Sequence, residues 1–258
     1  MHPHTDVVCL VHNQLPITRG FVDHLFKNTQ SFSLIFVDNG STDGTTDYVR
    51  AGEAEGKWTG VYLRENTGVI TGRNIGFKHV TASYFVNLDN DQYVGPGWLE
   101  SLHAKLSEGY DVAGCEAWKL FPPGSKGTLV HNGVIINGRE YYPQVRCTRP
   151  TDQFTYIGCG GMLVKTEVVK NIGLFDEQFS PAYFEDPDFA FRAIQNGYRL
   201  AWAPTCRINH LAHQTLGTQK SFKQTDQFFK SWGKFKAKWK GYFPNDPSKF
   251  SWGQNASV

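Results

Sequence analysis

Apolar runs suited to buried strands alternate with helical segments through the first third of the chain. The strand patterns, rich in β-branched residues, cover residues 6–12, 33–37, 60–63 and 84–88. Helical segments lie between them, and Pro16 is placed for the first turn of the first helix. Strands and helices that alternate at this spacing predict an α/β fold with a mainly parallel central sheet, covered by helices on both faces.

Polar residues follow three of the predicted strands, after Val11, Val37 and Leu88. Ligands of parallel sheets bind beyond the carboxyl ends of the strands, so a site is expected at these loops. Asp89 and Asp91 follow the fourth strand, and residues two apart project to the same side of an extended backbone. The pair could therefore bind Mg²⁺ or Mn²⁺, with water and phosphate oxygens as further ligands. The alternative is a turn that closes the strand, which Asp and Asn both favour.

A dinucleotide-binding domain shares this alternation but can be excluded. Its Gly-X-Gly-X-X-Gly motif directly follows the first strand. Here residues 12–16 contain no glycine, and Gly68, Gly72 and Gly76 have a different spacing. The loops at the strand ends must therefore serve another kind of ligand.

Residues 117–149 lack the helical periodicity of apolar positions that is seen earlier in the chain. A loop is predicted at 122–124, and residues 128–136 followed by Asn137-Gly138 predict half of a β-hairpin. Such an insert beside an active face often shapes a second substrate pocket, but packing without a ligand is an equal alternative. Three glycines within residues 158–161 indicate a close approach of the backbone, either to a ligand or to a neighbouring strand. A late strand is predicted at residues 200–203.

Composition narrows the class of protein. No apolar run is long enough to span a bilayer, and the first residues lack a secretory pattern, so a soluble, cytoplasmic protein is expected. Five scattered cysteines form no Cys-X-X-Cys pair, which argues against a zinc site or a disulfide framework.

The net charge of +2 is unevenly distributed along the chain, because residues 219–258 carry eight Lys, no Arg and two Asp. This basic end of the chain indicates an anionic partner.

An ordered set of motifs over residues 6–215 resembles the inverting family 2 glycosyltransferases, which bind nucleotide sugars on the GT-A fold. The motifs are Val37-Asp38-Asn39-Gly40-Ser41-Thr42-Asp43, Asn66 and Gly68 with Arg73-Asn74-Ile75-Gly76, Leu88-Asp89-Asn90-Asp91, Gly160-Gly161-Met162-Leu163, Gly173-Leu174-Phe175-Asp176, Glu185-Asp186-Pro187-Asp188 with Arg192, Gly197 and Tyr198, and His210. Each motif is weak alone, but their order and spacing together are specific. The resemblance implies a GT-A-type nucleotide-binding sandwich, and it favours the metal-binding interpretation of Asp89 and Asp91.

The resemblance implies a donor site for a nucleotide-diphosphate sugar. Asp38 would accept a hydrogen bond from the nucleotide base, and Arg73 would face the base or the diphosphate. Asp91 would bind Mn²⁺ or Mg²⁺ directly, Asp89 would contact the ribose or the metal, and the late His210 could complete the metal site. The cation would offset charge on the departing nucleoside diphosphate. The predicted donor-binding residues are His12, Asn13, Asp38, Asn66, Arg73, Asp89 and Asn90.

Transfer with inversion needs a base that takes the proton of the acceptor hydroxyl. Asp186 matches the position of the family's base, and Glu185 would orient the acceptor or share that role. Donors at the start of a helix could hold both carboxylates ionised. The alternative is that the two acids only complement the helix start, with Pro187 in the first turn. The predicted acceptor region contains Cys159, Gly160 and Gly161.

Aromatic residues recur at helical spacing near the end of the chain. They are Phe228, Phe229, Trp232, Phe235, Trp239, Tyr242 and Phe243, with Lys230, Lys234, Lys238 and Lys240 largely on other faces. One interpretation is a helix docked on the catalytic domain with solvated lysines outside. The others are an anionic membrane surface near a lipid-linked acceptor, or contact with DNA.

These observations predict a catalytic domain over residues 1–215 and a helical tail over 216–258. Within the domain, residues 1–115 would bind the nucleotide sugar and residues 116–215 the acceptor. The Gln-X-X-Arg-Trp block of processive family members is absent from the sequence, so transfer of one or a few sugars is expected. The acceptor would be a glycan or lipid-linked glycan, or a hydroxymethylated base in DNA. A nucleotidyltransferase on a related fold and a non-catalytic nucleotide-sugar-binding module are the alternative functions.

Overall fold

The computed structural model describes residues 2–119, 128–131, 133–136, 144–146, 156–158, 160–211 and 226–241. The first half contains β1 (Thr5–Val11), α1 (Leu15–Asn28), β2 (Phe32–Asp38), α2 (Thr45–Ala54), β3 (Thr59–Tyr62), α3 (Val69–Phe77), β4 (Tyr84–Asp89), β5 (Gln92–Val94) and α4 (Trp98–Ser107). The second half contains β6 (Val112–Lys119), β7 (Thr128–His131), β8 (Gly133–Ile136), β9 (Gln144–Arg146), β10 (Tyr156–Ile157), β11 (Met162–Lys165), α5 (Thr166–Ile172), a 3₁₀ turn (Glu177–Phe179), α6 (Glu185–Gln195), β12 (Leu200–His210) and α7 (Asp226–Lys238). The alternation predicted for the first third of the chain is confirmed.

The described strands of the large sheet follow the order β3-β2-β1-β4-β11-β6-β12-β5, and β7 pairs with β6. The first four strands are parallel, as predicted. Beyond β4 the sheet is mixed, because β11 runs antiparallel to β4 and β6, whereas β12 is parallel to β6. The parallel part brings the ends of β1, β2 and β4 to one edge.

A hydrophobic core lies on each face of this sheet. On one face, α1 and α4 bury side chains such as Phe21 and Trp98 against the strands. On the other face, α3, α6 and α7 contribute Ile70, Phe189 and Phe235. The strands are apolar on both sides because both faces are covered, which explains their continuous rather than alternating hydrophobic runs.

The predicted hairpin is more complex in the structure. The segment 128–136 forms two strands, of which β7 joins the large sheet and β8 pairs antiparallel with β9. Asn137-Gly138 and the predicted loop at 122–124 lie outside the described residues. The role of this insert in binding a second substrate stays a prediction.

The late strand is much longer than the predicted residues 200–203. β12 spans Leu200–His210, and its register against β6 shifts between Trp202 and Arg207. Pro204 lies within the shift, and proline cannot donate a ladder hydrogen bond. The irregularity in the register accommodates Pro204 within the longer strand. The extension carries His210 to the edge at which β4 ends.

The C-terminal helix is docked on the domain. Phe228, Trp232 and Phe235 of α7 are buried in the core that also contains Phe184 and Phe191. Lys230 and Lys240 are exposed on the outer face, whereas Tyr242 and Phe243 lie outside the described residues. Within the part of the chain that the structure describes, no helix is both long and apolar enough to cross a bilayer.

A buried carboxylate ties α7 to α6. Asp188 has no exposed surface and accepts hydrogen bonds from Arg192 Nε at 2.8 Å and from Trp239 Nε1 at 3.0 Å. Lys238 Nζ lies 2.7 Å from the same carboxylate and 2.7 Å from Asp176. A buried charge is stabilised only when it is paired in this way.

Replacing the indole that bonds this carboxylate tests whether α7 stabilises the domain. Trp239→Phe removes the hydrogen bond to Asp188, and bonds to charged groups contribute about 1.5–3 kcal/mol. We expect the free energy of unfolding, measured in urea, to fall by about that amount. Lys230→Gln, on the exposed face of the same helix, is the matched control and should change it by less than about 0.5 kcal/mol. Equal stability of both variants would show that α7 does not contribute to the cooperative unit.

Candidate active site

The candidate site lies where the parallel strands β1, β2 and β4 end. Val11 pairs with Asp38, the last residue of β2, and Leu10 pairs with Asp89, the last residue of β4. The expectation that the polar loops after these strands meet at one edge is therefore confirmed. The helices α3 and α6 begin near this edge and carry the remaining charged residues.

Hydrogen bonds connect the loop after β1 with the loop after β2. His12 donates from Nδ1 to the carbonyl oxygen of Asn39 at 2.9 Å. The Asn13 backbone donates to Ser41 Oγ at 2.8 Å, and its side-chain oxygen accepts the Thr42 N–H at 2.7 Å. His12 and Asn13, both predicted to bind the donor, therefore lie at the edge and also hold the neighbouring loop in place.

Asp38 is almost fully buried at the end of β2. One carboxylate oxygen accepts the Ser41 N–H at 3.0 Å, and the other accepts a short hydrogen bond from the Thr46 hydroxyl. Asp38 thus closes the turn that follows β2. Because each carboxylate oxygen can accept more than one bond, this role is compatible with recognition of a base.

Asn39 joins the loops after β2 and β3. Its buried side chain donates to Asn66 Oδ1 at 3.0 Å and accepts the Thr67 N–H at 2.8 Å. Asn66 also accepts the Gly68 N–H at 2.9 Å, directly before α3. Asn66 was predicted to bind the donor, whereas Asn39 was not singled out, because an Asn in a turn after a strand is common.

Arg73 bridges the two charged parts of the site. Its Nη2 lies 2.5 Å from Asp89 Oδ1, and its Nη1 lies 3.9 Å from Glu185 Oε1. The Arg73 side chain is 5% exposed and that of Glu185 is 10% exposed, whereas Asp89 is 32% exposed and still reaches solvent. Three residues predicted from separate motifs, on α3, β4 and α6, are therefore brought together.

The segment after β4 is a tight turn rather than a continued strand. β4 ends at Asp89, and Asn90 and Asp91 form the turn that leads into β5. The extended backbone assumed for the Asp89 and Asp91 pair is therefore wrong. Asn90 is buried and donates to Thr18 Oγ1 at 2.9 Å, and Gln92 Oε1 accepts the Asp89 N–H at 2.9 Å. Asn90 thus anchors the turn to α1.

Asp91 and His210 form the second charged pair of the site. His210 Nε2 lies 3.3 Å from Asp91 Oδ1. Burial lowers the pKa of His210, but the hydrogen bond and charge of Asp91, together with Asp89, raise it by more. The long β12 and the turn after β4 thus meet as the two predicted metal ligands require.

The metal prediction concerns a site with few protein ligands, and it stays a prediction. Asp91 and His210 offer one carboxylate and one imidazole, a donor set that suits a divalent cation completed by phosphate oxygens and water. Among the described residues, no group of three or more His, Cys, Asp or Glu is arranged to hold a metal. Asp89 instead contacts Arg73, so its place as a metal ligand stays a prediction.

Glu185 and Asp186 are the first two residues of α6. Burial, and then the charge of Asp186, raise the pKa of Glu185 to about 8, although Arg73 lowers it. Oε2 of Glu185 has no hydrogen-bond partner among the described residues. The expectation that the helix start keeps both acids ionised is therefore wrong for Glu185, because its burial outweighs the helix dipole. At neutral pH Glu185 carries a proton beside Asp186.

The glycines of the predicted acceptor region are packed against other parts of the chain. A Cβ on Gly160 would lie 2.0 Å from Gln92 Nε2, and one on Gly161 would lie 2.2 Å from Cys115 Sγ. The close approach expected for these glycines is thus made to neighbouring elements. Cys159 lies outside the described residues, and contact of this region with an acceptor stays a prediction.

Two buried amides near Asp89 were not identified from the sequence. Gln92 fixes the Asp89 backbone and also touches Gly160. Asn87 lies two residues before Asp89, on the same face of β4, and is 1% exposed without a hydrogen-bond partner for its side chain among the described residues. The sequence signal for Asn87 is an amide residue within an otherwise apolar strand pattern. A buried polar side chain without a hydrogen-bond partner is rare, so such a residue indicates a special role.

The proton on Glu185 predicts a stability that depends on pH. A carboxyl group whose pKa is raised on folding contributes stability that is fully present below pH 4.5, its usual pKa in the unfolded chain. This contribution is lost as the pH rises through about 8, the pKa in the folded protein. Glu185→Gln keeps the shape without the titration, so its melting temperature should rise relative to the natural chain between about pH 5 and 8.5. A change of 1 kcal/mol shifts the melting temperature by about 2–4 °C in a domain of this size.

Thermal unfolding at intervals across this range, in metal-free buffer, measures the difference. The exposed Glu55→Gln is the matched control and should follow the natural chain at every pH. A constant difference between Glu185→Gln and the natural chain would contradict a protonated Glu185.

One curated relative is undecaprenyl-phosphate 4-deoxy-4-formamido-L-arabinose transferase from Shewanella sediminis (strain HAW-EB3). The two are 33% identical over 127 residues, which is 46% of this chain and 38% of the relative. The chain spans between 27% and 50% of the length of the first curated relatives it matches.

Two solved structures share the fold of the domain. GalNAc-T7 with UDP, GalNAc and Mn²⁺ has a TM-score of 0.74 at 16% identity, covering 93% of this chain and 48% of that chain. The mannosyltransferase PcManGT from Pyrobaculum calidifontis with GDP-Man and Mn²⁺ has a TM-score of 0.60 at 16% identity, covering 83% and 59%. The predicted GT-A fold is thus confirmed.

The family model for glycosyl transferase family 2 matches residues 6–173, which is more than half of the sequence. Its match begins in β1 and includes the loops after β1, β2 and β4, together with Arg73. The chain therefore belongs to glycosyl transferase family 2.

Proposed function

We propose that this protein transfers a sugar from a nucleotide-diphosphate donor to an acceptor hydroxyl, with inversion at the anomeric carbon. The observation that carries the proposal is the bridge from Asp89 through Arg73 to Glu185, with Asp186 next in sequence. This bridge connects the end of β4, where the donor diphosphate would lie, with Glu185 and Asp186. These two acids would orient the acceptor and take its proton. Membership of glycosyl transferase family 2 supports a glycosyl transfer reaction.

The donor would bind across the ends of β1, β2 and β4. Asp38, the last residue of β2, would accept a hydrogen bond from the nucleotide base, and Arg73 would offer its planar guanidinium to the diphosphate. Asp91 and His210 would hold Mn²⁺ or Mg²⁺, which when bound would offset the negative charge that develops on the leaving diphosphate. The solved structures with Mn²⁺ and UDP or GDP-Man support this choice of ligands by their shared fold.

The acceptor step would be a single displacement. The acceptor oxygen forms a bond to the anomeric carbon from the side opposite the diphosphate, whose bond to that carbon breaks. Asp186 takes the hydroxyl proton as the general base, and the displacement inverts the configuration. Glu185 carries a proton at neutral pH, so it would donate a hydrogen bond and orient the acceptor rather than compete for the proton.

A glycan or a lipid-linked glycan is the acceptor class we favour, with transfer of one or a few sugars. The undecaprenyl-phosphate transferase that matches 46% of this chain supports a lipid-linked acceptor. Stacking on DNA bases is disfavoured as a role for Phe228, Trp232 and Phe235, because these rings are buried in the domain. A gel shift with duplex DNA at low salt tests the remaining, purely electrostatic contact.

Removing the proposed base tests the acceptor step. Asp186→Asn should lower kcat by about 10²–10⁴-fold, because general-base catalysis contributes that much. Release of nucleoside diphosphate from a panel of UDP- and GDP-sugars, with candidate acceptors, measures the rate. Asp47→Asn, an exposed acid on α2, is the matched control and should keep the natural rate. If Asp186→Asn also keeps it, the assignment of the base is wrong.

Removing a metal ligand tests the donor step separately. Asp91→Ala should raise the Mn²⁺ concentration needed for half-maximal rate at least about 10-fold, since loss of a supporting contact alone already costs 10–100-fold in affinity. Titration of Mn²⁺ and Mg²⁺ in the same assay measures the change. An Asp91→Ala variant with the metal dependence of the natural chain would refute a metal site at Asp91 and His210.

A further inference from the structure

The segment that carries the two acids is held in a strained backbone conformation. Tyr183 and Phe184, directly before Glu185, have φ angles of 78° and 70°. Non-glycine residues in this region cost about 1–3 kcal/mol each, and they persist only where the surroundings enforce them. Because Phe184 is the N-cap of α6, its conformation sets the direction of the first helical turn, which contains Glu185 and Asp186.

Aromatic rings of α7 enclose Phe184. Its ring centroid lies 5.1 Å from that of Phe228, 5.3 Å from that of Trp232 and 5.4 Å from that of Phe235. Phe184 is 2% exposed, and the neighbouring Tyr183 ring lies 5.7 Å from Phe228. The side chain of Phe184 is thus enclosed by a helix that begins only at Asp226, far along the chain.

A hydroxyl of α7 holds the backbone of the same segment. Ser231 is fully buried and donates from Oγ to the Ala182 carbonyl oxygen at 3.0 Å. Gln227 Nε2 donates to the same Oγ at 3.0 Å. Because an amide N–H can only donate, Gln227 directs the serine proton towards Ala182.

The opposite side of the segment is held by α3. The Val69 N–H, in the first turn of α3, donates to the Pro181 carbonyl oxygen at 3.1 Å. Arg73, one turn further on in α3, contacts Asp89 and Glu185. The segment 180–184 therefore lies between α7 and the helix that supplies the bridging arginine.

We infer that α7 is a positioning element of the active site, in which Ser231, oriented by Gln227, fixes Ala182–Phe184 and thereby the first turn of α6, where Glu185 faces Arg73 and Asp186 follows it. This inference rests on the proposed function for its kinetic consequence. Its structural part, the fixing of the segment, is independent of which reaction the site performs. Ser231 touches no reacting group and acts only through the backbone that precedes α6.

Hydrogen exchange and kinetics of Ser231→Ala test the inference together. We expect faster exchange of the amides at 182–188 and unchanged exchange in α7 itself, since only the link between them is lost. In the donor assay, kcat should fall about 10- to 100-fold with little change in the KM for the donor, because small misplacements of catalytic groups have effects of this size. Ser231→Thr, which keeps the hydroxyl, should restore most of kcat.

Thr29→Val is the matched control for lost stability. It removes a buried hydroxyl that accepts a hydrogen bond from Trp98 Nε1 at 2.8 Å, in the core on the other face of the sheet. It should destabilise the fold and leave kcat unchanged. Should Ser231→Ala fold poorly, Gln227→Leu replaces it, with the same direction of effect on exchange at 182–188 and on kcat.

The outcomes separate this inference from the proposed function. Unchanged exchange at 182–188 in Ser231→Ala, or an equal loss of kcat in Thr29→Val, would overturn the positioning role. Full activity of Asp186→Asn would instead overturn the proposed base, while the exchange result would still decide whether α7 fixes the segment.

Discussion

The buried guanidinium of Arg73 is the charge on which the candidate site depends. A charge with so little exposed surface is tolerated only beside partners, here Asp89 and Glu185. α3 brings Arg73 close to these partners because Gly72 and Gly76 let the helix lie directly on β1. A Cβ on Gly76 would lie only 2.6 Å from Val8 Cγ1 in β1. A larger residue at either glycine would lift α3 and separate Arg73 from both carboxylates.

This arrangement also decides how the two acids of α6 divide their roles. Arg73 lies 3.9 Å from Glu185 and much closer to Asp89, so it offsets little of the cost of burying Glu185. Burial and the adjacent Asp186 therefore prevail, and Glu185 carries a proton at neutral pH. A protonated Glu185 can donate a hydrogen bond, which an ionised carboxylate cannot do.

The sequence predicted those parts of the site that depend on local patterns. The strands and the loops at their ends follow from periodicity and from residue type, and Asp38 and Asp89 lie at the ends of β2 and β4 as the strand pattern predicts. The roles of Asp38, Arg73 and Asp89 in binding a donor stay predictions. Asn39 was missed because its partner Asn66 is distant in sequence, in the loop after β3. Gln92 accepts a hydrogen bond from the nearby Asp89, but its close packing against the distant Gly160 gives no local signal. Helical spacing predicted α7, but only its contacts with Phe184 and Asp188 distinguish a docked helix from a surface one.

Backbone strain is the feature that sequence patterns reveal least. Four of the five non-glycine residues with positive φ among the described residues are Asn13, Gln14, Tyr183 and Phe184, the pairs that precede α1 and α6. Only Asn favours this region, so bulky residues such as Phe give no local signal of it. Each pair is held by distant contacts, Asn13 by the loop after β2 and Phe184 by α7. Both pairs precede elements of the candidate site, so its geometry depends on tertiary contacts that stabilise locally unfavourable conformations.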